Sequence, residues 1–335
     1  MVLVYPILPN KNQLRQTKIY IIMRKIRIAI IGNGNLGRAC RERILERVDE
    51  FQLVGVFSRR ISPETIPMYD LVLYKDRIDV ALFCGGSVND AQIMVPNLHK
   101  QGINTVDSYD NHEEIKNGNY KRSIQSHAKQ NATVAIIGAG WDPGYLSIQR
   151  ILNKAIMPTG THNTLYGGKN GGLSMGHTNA IKSIPNVIAA HQTTLPRPDA
   201  KTKALRGIPV PANDRHRRIC HIVADPIHQD EIRKQIQNTD GYFKNQQLEI
   251  NFISMDEFTE KFSDKNSHGG QIISVDDNAK INLQLDMKSN PMLTANAMLC
   301  YARANHIMQS RNISGAFTID QIPPAFLMAD SVMEI

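Results

Sequence analysis

A glycine-rich segment and an arginine pair are the first residues whose types and spacing suit ligand chemistry. The segment follows the apolar run 26–31 with GxGxxG spacing, and its residues are Gly32, Asn33, Gly34, Asn35, Leu36 and Gly37. Ser58, Arg59 and Arg60 come later in the chain. Glycines at this spacing form a tight turn and let backbone amides approach a phosphate, because no side chain intervenes. Together the two sets indicate a site for a phosphorylated dinucleotide.

The residues after the second predicted strand, 51–57, indicate which dinucleotide binds. An NAD site usually has an Asp or Glu there for the ribose 2′-hydroxyl. This chain instead has the hydroxyl of Ser58 and the guanidinium groups of Arg59 and Arg60. Guanidinium groups bind phosphate through charged, often bidentate hydrogen bonds. A solvated basic loop is the alternative interpretation. The spacing in the sequence between the glycine turn and the arginine pair favours a site for a 2′-phosphate. We therefore predict NADP as the cofactor.

The elements that must position these groups are predicted to form a doubly wound parallel (Rossmann-type) sheet of the α/β class. Apolar residues of 26–31 read as a buried strand, and apolar residues recur at helical spacing over 36–48. Further strands are predicted at 79–84, 104–107 and 132–137, with helices between them. Ligands of such sheets bind outside the carboxyl ends of the strands. We therefore expect these further residues to bind the cofactor: Cys84, Gly85, Gly86, Ser87, Ser108, Tyr109, Asp110, Ala139, Gly140, Trp141, Asp142 and Pro143.

After Trp141 the pattern changes to strand-like runs separated by longer polar stretches, which predicts a second α+β domain on a mixed or antiparallel sheet. These runs are 187–194, 218–224, 246–253, 271–275 and 280–287. An apolar helix is predicted from Asn290 to about residue 309, and a last strand-like segment at 316–322 returns to the first domain. The predicted parts are an extension (1–22), a dinucleotide-binding domain (23–140), a substrate domain (141–294) and a C-terminal segment (295–335).

Charge and composition narrow the classes of partner. The 335 residues carry a formal charge of +8, of which three charges lie on Lys11, Arg15 and Lys18, so residues 23–335 carry +5. We find no long basic block with interleaved aromatic residues, which argues against a nucleic-acid partner; anionic small molecules account for the basicity equally well. No run of 18 apolar residues predicts a membrane helix. Residues 1–22 lack acids and fit a transit peptide, an upstream start codon or a disordered extension.

The cysteines predict neither a disulfide framework nor a metal site. Cys40, Cys84, Cys220 and Cys300 are widely scattered without a CxxC pair. Zinc sites with thiolate ligands usually contain closely spaced cysteine pairs, and disulfide frameworks usually have more cysteines at regular spacings. A reducing cytoplasm and no bound metal are therefore expected.

Several motifs resemble those of the meso-diaminopimelate dehydrogenase family, in the same order along the chain. They are the glycine turn 32–37, FSRR at 57–60, VDSYDNH at 106–112, GWDPG at 140–144, LSMGH at 173–177, HGG at 268–270 and SGAF at 314–317. The resemblance runs from Met23 almost to the end of the chain. It implies NADP-dependent oxidative deamination at the D-centre of meso-2,6-diaminopimelate, in lysine and cell-wall precursor metabolism. It also implies a homodimer with contacts largely from the second domain.

By this resemblance, Asp110 and Asp142 touch the substrate or the nicotinamide and are the catalytic residues. The chemistry needs a neutral amine held in place, an α C–H directed at the nicotinamide and one admitted water. Carboxylates in two strand-end loops suit the task of holding the amine or ordering the water. Turn and helix-start chemistry is the alternative for both residues, because Asp-Asn and Asp-Pro-Gly are common turn sequences.

The distal amino-acid end of the substrate needs a cation, neutral donors and an acceptor. The resemblance assigns this end to Thr194, Arg218, His268 and Asn290, and it places Met175, Gly176 and Tyr166 beside the D-centre. Arg218 suits a bidentate carboxylate clamp. Each of these residues has an alternative role. Arg218 could be a salt-bridged arginine, Thr194 a plain strand residue and His268 a surface histidine. Asn290 precedes a proline and could be a helix N-cap.

Two other functions compete with this one. Another two-domain NADP oxidoreductase is the first, but the paired histidine-lysine motif of dihydrodipicolinate reductases and the Glu-Lys-Pro motif of sugar oxidoreductases are absent from the sequence. A non-catalytic NADPH sensor is the second, and it would be expected to have lost residues of the amino-acid clamp. All of the clamp residues are present.

Overall fold

The computed structural model describes residues 24–86, 90–168, 171–239, 242–262 and 267–329. The chain divides into two compact units: the first runs up to Gly144 and resumes at Thr294, and the second comprises Tyr145–Leu293. The predicted extension 1–22 lies outside the described residues. In the part of the chain that is described, no helix is both long and apolar enough to cross a membrane.

The first unit begins with alternating strands and helices. In chain order these are β1 (Ile26–Ile31), α1 (Asn35–Glu46), β2 (Phe51–Ser58), β3 (Ile66–Pro67), a 3₁₀ segment (Met68–Arg77), β4 (Val80–Phe83), α2 (Gln92–Lys100), β5 (Thr105–Asp107), α3 (His112–Asn117), α4 (Asn119–Gln130) and β6 (Val134–Ile137). The strands β1, β4, β5 and β6 are short and almost wholly buried, as expected for a parallel sheet covered on both faces.

The second unit mixes helices with longer strands. Its elements are α5 (Tyr145–Ile156), β7 (Thr161–Tyr166), β8 (Gly172–Leu173), α6 (Met175–Lys182), β9 (Ala189–Pro196), α7 (Pro198–Leu205), β10 (His216–Val223), α8 (Gln229–Asn238), β11 (Leu248–Phe252), α9 (Met255–Phe262), β12 (His268–Val275) and β13 (Lys280–Met287). The helix α10 (Asn290–Ser310) follows, and its later part belongs to the first unit together with β14 (Gly315–Thr318).

The sheet of the first unit confirms the predicted doubly wound fold. Its seven strands lie in the order β14-β6-β5-β4-β1-β2-β3, and every pair is parallel. The order reverses at β1, so the loops after β1 and β4 flank the topological switch point where ligands of such sheets bind. The segment predicted at 316–322 supplies β14, which pairs with β6 at the sheet edge.

One helix boundary differs from the sequence-based expectation and another confirms it. The helix expected over 36–48 ends at Glu46, because Arg47 leaves the helical conformation, and the Val48 side chain is exposed. The last long helix begins at Asn290 itself. The carbonyl of Ser289 accepts from the amide of Leu293, which places Ser289 at the N-cap and Asn290 in the first turn. The predicted start of the helix at Asn290 is therefore confirmed, and the alternative role of Asn290 as the N-cap belongs to Ser289 instead.

The second unit contains two sheets where a single mixed or antiparallel sheet was expected. One has the order β11-β10-β9-β8 and the other β13-β12-β7. The sequence did not predict β7, because the first half of this strand is polar and its polar and apolar residues do not alternate. The structure shows why a polar residue is tolerated there: the Asn163 side chain accepts a hydrogen bond from the amide of Val210 at 3.0 Å. Each sheet has its own apolar cluster, one around Ile222 and one around Leu165.

Candidate active site

The glycine turn between β1 and α1 is held by close backbone contacts. The amide of Gly32 donates to the carbonyl of Phe57 at 2.8 Å, and Gly32 has φ +108, which favours glycine. A Cβ on Gly37 would lie 2.0 Å from the carbonyl oxygen of Gly32. Both outer glycines are therefore required by the chain itself, to turn the backbone and to let α1 approach the turn.

Gly34 differs, because a Cβ there would meet no protein atom within 4 Å. It also occupies the N-cap of α1, whose first turn has neither a side-chain cap nor an acidic residue. The protein's own packing does not need a glycine at this position, whereas a ligand that closely approaches the helix N-terminus does. These residues fit the diphosphate of a dinucleotide.

The arginine pair at the end of β2 is exposed. Arg59 forms an ion pair with Asp90 at 2.9 Å, and its side chain remains 67% accessible. The Ser58 hydroxyl accepts from the amide of Arg60 at 3.1 Å, so Ser58 shapes the loop that presents both arginines. Exposed guanidinium groups beside the switch point fit the 2′-phosphate predicted from the sequence.

The loop after β4 carries the next group of predicted cofactor residues. The backbone carbonyl of Cys84 faces Gly32, where a Cβ would approach it to 2.9 Å. The Cys84 sulfur lies 3.7 Å from that of Cys40, and this hydrogen bond together with burial raises the pKa of the Cys84 thiol. Gly86 donates from its amide to the Asp90 carboxylate at 3.2 Å. Ser87, also predicted here, lies outside the described residues.

Tyr109 and Ala139, both predicted to bind the cofactor, have side chains packed inside the first unit. The Tyr109 ring stacks on Tyr120 with 4.0 Å between centroids, and its hydroxyl accepts from Gln92 at 2.8 Å. Ala139 is fully buried, and its amide donates to the carbonyl of Asp107. Both side chains therefore help to hold the strand-end loops. Sequence position alone gave no sign of this, because neighbours in a loop point in different directions.

Asp110 and Asp142 follow neighbouring parallel strands, β5 and β6. Asp110 is exposed and Asp142 is half-buried. Asp142 lies in a tight loop in which the amide of Gly140 donates to the carbonyl of Pro143 at 2.9 Å. Gly144 closes this loop, since a Cβ there would lie 1.6 Å from the carbonyl oxygen of Gly140. Both carboxylates are thus placed at the carboxyl edge of the sheet, as predicted.

Arg218 and Thr194 form the centre of a polar site in the second unit. They are register partners on β10 and β9, and a terminal nitrogen of Arg218 donates to the Thr194 hydroxyl at 3.2 Å. Burial lowers the pKa of Arg218 to about 10. Its buried Nε atom has no hydrogen-bond partner among the described residues. A half-buried guanidinium whose buried Nε atom has no partner is suited to binding a carboxylate.

His268 and Tyr166 line the same part of the second unit. Gly172 is register partner to Thr194, and a Cβ on it would lie 2.8 Å from Nδ1 of His268. The amide of Tyr166 donates to Nε2 of His216 at 2.7 Å. His216 sits two residues before Arg218, and burial holds the pKa of His216 at about 3, so its ring is neutral and accepts.

Met175 and Gly176 begin α6 next to β9. The amide of Ser174 donates to the carbonyl of Gln192 at 3.1 Å, two residues before Thr194. The Ser174 hydroxyl bonds Nδ1 of His177 at 2.7 Å, and the His177 ring packs edge-on against aromatic neighbours. Burial, followed by the charge of Arg218, lowers the pKa of His177 to about 3. His177 is therefore a structural residue of this loop.

Asn290, the last of the predicted clamp residues, is buried at the start of α10. It lies three residues after Met287, the register partner of His268. The described contacts thus bring Thr194, Arg218, His268, Met175 and Tyr166 into one neighbourhood and place Asn290 on an adjoining segment.

Sequence reasoning missed several residues that support these groups. Gln192 is fully buried, and its side-chain amide exchanges hydrogen bonds with the Thr194 hydroxyl at 3.2 and 3.3 Å. His216 supports Tyr166, and Asp107 bonds to both of the strand-end loops described above. Their only signal in the sequence is a polar residue at an inward strand position, which many buried polar residues share.

The parallel sheet, the open glycine turn and the separate polar site define the class: a dinucleotide-dependent oxidoreductase with a Rossmann-type unit and a second unit of α+β structure.

Comparison with known proteins identifies the family. Residues 140–289 match the family model for the diaminopimelic acid dehydrogenase C-terminal domain. The meso-diaminopimelate D-dehydrogenase of Corynebacterium glutamicum is 34% identical over 323 residues, which covers 93% of this chain and 98% of the relative. The enzyme of the same name from Ureibacillus thermosphaericus is 35% identical, with 92% and 97% covered. The chain belongs to the meso-diaminopimelate D-dehydrogenase family.

Solved structures agree with this assignment. The C. glutamicum diaminopimelate dehydrogenase in complex with diaminopimelate superposes with a TM-score of 0.87 at 34% identity, covering 92% of this chain and 97% of that one. An engineered D-amino acid dehydrogenase bound to NADP⁺ superposes with a TM-score of 0.85 at 32% identity and the same coverage. The predicted fold class is thereby confirmed.

Proposed function

We propose that the protein catalyses the reversible NADP-dependent oxidative deamination of the D-centre of meso-2,6-diaminopimelate. The substrate, water and NADP⁺ yield L-2-amino-6-oxopimelate, ammonium, NADPH and a proton. The observation that carries the proposal is the half-buried Arg218, whose buried Nε atom is an unused donor beside Thr194 in a unit separate from the glycine turn. A sensor of NADPH would have no need of a second buried site for a carboxylate.

The first unit supplies the groups around the reacting carbon. Bound NADP accepts a hydride from that carbon, and this is the chemistry that the cofactor contributes. Asp110 and Asp142 hold the amino group of the D-centre and order the water that later replaces it. Gly32, Gly34 and the N-terminus of α1 hold the diphosphate, and Arg59 with Arg60 binds the 2′-phosphate.

The second unit holds the far end of the substrate. Arg218 binds the distal carboxylate through charged hydrogen bonds, and the Thr194 hydroxyl, fixed by Gln192, adds a neutral polar group. His268 and Asn290 bind the remaining polar groups of the L-centre, while Met175, Gly176 and Tyr166 form the wall beside the D-centre. Recognition of both ends selects the isomer, because a site built for one configuration leaves polar groups unpaired with another.

The test is NADPH formation followed at 340 nm with the meso, LL and DD isomers of diaminopimelate, and with NAD in place of NADP. We expect turnover with the meso isomer and NADP to exceed the other combinations by at least about 100-fold, since unpaired buried groups cost that much or more. No turnover of the meso isomer, with NADPH binding intact, would favour the sensor. Turnover of a different carbonyl or amine would favour another oxidoreductase.

A homodimer assembled through the second unit and a cytoplasmic location complete the proposal. Several large apolar side chains of α5 are exposed, among them Tyr145, Leu152 and Ile156, and such a stripe is suited to a protein contact. The four cysteines are free thiols, which fits a reducing compartment. Light scattering on the purified chain of 37.6 kDa should give twice that mass, and Ile156→Glu should reduce it to the monomer value. A parent mass equal to one chain would contradict the dimer.

A further inference from the structure

Asp107, the last residue of β5, is a buried carboxylate outside the set of residues assigned to substrate or cofactor. It is 1% exposed, and it precedes the loop that carries Asp110 by three residues. Its bonds in the first unit suggest a specific task.

The two carboxylate oxygens of Asp107 have different partners. Oδ1 accepts from the amide of Tyr109 at 3.0 Å and from the amide of Gly138 at 3.1 Å, so a single oxygen links the loop after β5 to the loop after β6. Oδ2 accepts from the Tyr120 hydroxyl on α4 at 3.0 Å. The backbone carbonyl of Asp107 adds a bond from the amide of Ala139 at 2.7 Å.

These partners are all neutral donors. Burial raises the pKa of Asp107, the hydrogen bonds from the two amides and the Tyr120 hydroxyl oppose this shift, and the net result is a pKa of about 6. At neutral pH the group is therefore ionised inside the protein, where charge is costly unless hydrogen bonds compensate it. An ionised acceptor forms shorter and stronger bonds to amides than a neutral one. The two loop amides are thus held more firmly than a serine or threonine would hold them.

We propose that Asp107 is the positioning residue of the reaction: its Oδ1 atom fixes the loop of Asp110 relative to the loop of Asp142, a role that presupposes the proposed function. Asp110 lies one residue beyond Tyr109, and Asp142 lies four beyond Gly138, so a movement of either amide displaces its carboxylate. Displacing a catalytic group by about 1 Å reduces turnover on the order of 100-fold. Asp107 itself touches no reacting atom in this account.

The test compares three variants of the full-length protein. Asp107→Ala removes both oxygens, Asp107→Asn keeps an acceptor at Oδ1, and Tyr120→Phe removes only the donor to Oδ2. Hydrogen exchange is measured in peptides covering 105–112 and 134–144, with a peptide covering 26–37 as the reference. The kcat with meso-diaminopimelate and the KM for NADP are measured in parallel.

For Asp107→Ala we expect at least about tenfold faster exchange in both loop peptides, no change in the reference peptide, and a kcat lower by about 100-fold. The KM for NADP should change by less than about fivefold, because the glycine turn and the arginine pair lie on other strands. Tyr120→Phe should stay within about threefold of the parent kcat, since it retains the bridge between the loops. Asp107→Asn should lose less than about tenfold, since it retains the bridge with a neutral acceptor that bonds the amides more weakly.

The proposal would be overturned if Asp107→Ala had the hydrogen-exchange rates and the kcat of the parent. It would also be overturned if Asp107→Asn lost as much kcat as Asp107→Ala. If Asp107→Ala does not fold, Asp107→Ser, which holds its oxygen one atom short of the amides, replaces it with the same expectations. Should the parent fail to turn over meso-diaminopimelate, the proposed function fails. The exchange measurements then decide alone whether Asp107 ties the two loops.

Discussion

Arg218 donates to the hydroxyl of Thr194 at 3.2 Å across two neighbouring antiparallel strands, and its Nε atom is buried without a partner among the described residues. Its neighbour Arg217 points the other way and forms an exposed 3.6 Å ion pair with Glu249. The alternation of strand side chains thus separates two adjacent arginines into a buried group and a surface group.

This separation yields a matched pair of variants. Arg218→Lys should lower kcat/KM for meso-diaminopimelate by roughly 10- to 100-fold, because a charged hydrogen bond contributes about 1.5–3 kcal/mol and a lysine cannot bind a carboxylate in the same bidentate manner. Steady-state kinetics at saturating NADP measure it. Arg217→Lys is the control and should stay within about twofold, since exposed ion pairs contribute little. Equal losses in both variants would contradict the clamp.

The arginine pair at the end of β2 predicts the cofactor preference. Arg59→Ala combined with Arg60→Ala should raise the KM for NADP by at least about 30-fold and the KM for NAD by less than about threefold, because only NADP carries the 2′-phosphate. Arg122→Ala, a change of the same type on α4, controls for the general loss of positive charge. Equal effects on both cofactors would refute the 2′-phosphate assignment.

The glycines of the turn should separate ligand binding from stability. Gly34→Ala should leave the thermal midpoint within about 1 °C and weaken NADP binding, because its Cβ meets open space that we assign to the cofactor. Gly37→Ala should lower the midpoint by several degrees, since its Cβ would lie 2.0 Å from the Gly32 carbonyl. Differential scanning calorimetry and NADP titration measure the two effects. A Gly34→Ala variant with parent affinity would contradict the assignment.

The proposed amine-binding carboxylates should affect turnover more than substrate affinity. Asp142→Asn and Asp110→Asn should each lower kcat by about 100-fold or more, in the range expected for loss of a group that acts on a transferred proton. The KM for meso-diaminopimelate should change less than kcat does. Asp49→Asn, an exposed carboxylate between α1 and β2, is the control. Parent kcat in both single variants would return these residues to ordinary turn chemistry.

Buried His99 predicts a pH dependence of stability. Its two ring nitrogens bond the hydroxyls of Thr133 and Thr105 at 2.7 and 2.8 Å, and burial lowers the pKa of His99 to about 3. Between about pH 6.5 and 3 the unfolded chain binds a proton at His99 that the folded chain does not. The free energy of unfolding therefore decreases as the pH falls through this range. For this one group, the free energy of unfolding changes by about 1.4 kcal/mol per pH unit.

His99→Gln should therefore reduce the loss of unfolding free energy of the first unit between pH 6.5 and 5, even if it lowers stability at pH 7. Urea unfolding at several pH values measures the slope, and His228→Gln, at the surface of the second unit, is the control. An unchanged slope in His99→Gln would mean that His99 does not remain neutral in the folded protein.

The sequence by itself determined the features that depend on local spacing. The glycine turn, Ser58 with the arginine pair, and the alternation of strands and helices up to Ile137 follow from contacts within a few residues or from patterns repeated along one element. The motifs from 106–112 to 268–270 indicated the family because their order is specific even where each motif is short. The cofactor and the reaction class were therefore predictable.

Only the tertiary structure decided features that depend on residues far apart in the chain. The second unit's two sheets arise from the pairing of β7 with β12 and of β8 with β9, which no local pattern encodes. Burial of Tyr109 against Tyr120 gives this predicted cofactor residue a packing role that the sequence did not indicate. The bridge from Asp107 to Gly138 likewise joins residues 31 positions apart, because a carboxylate is satisfied by whichever amides the fold brings to it.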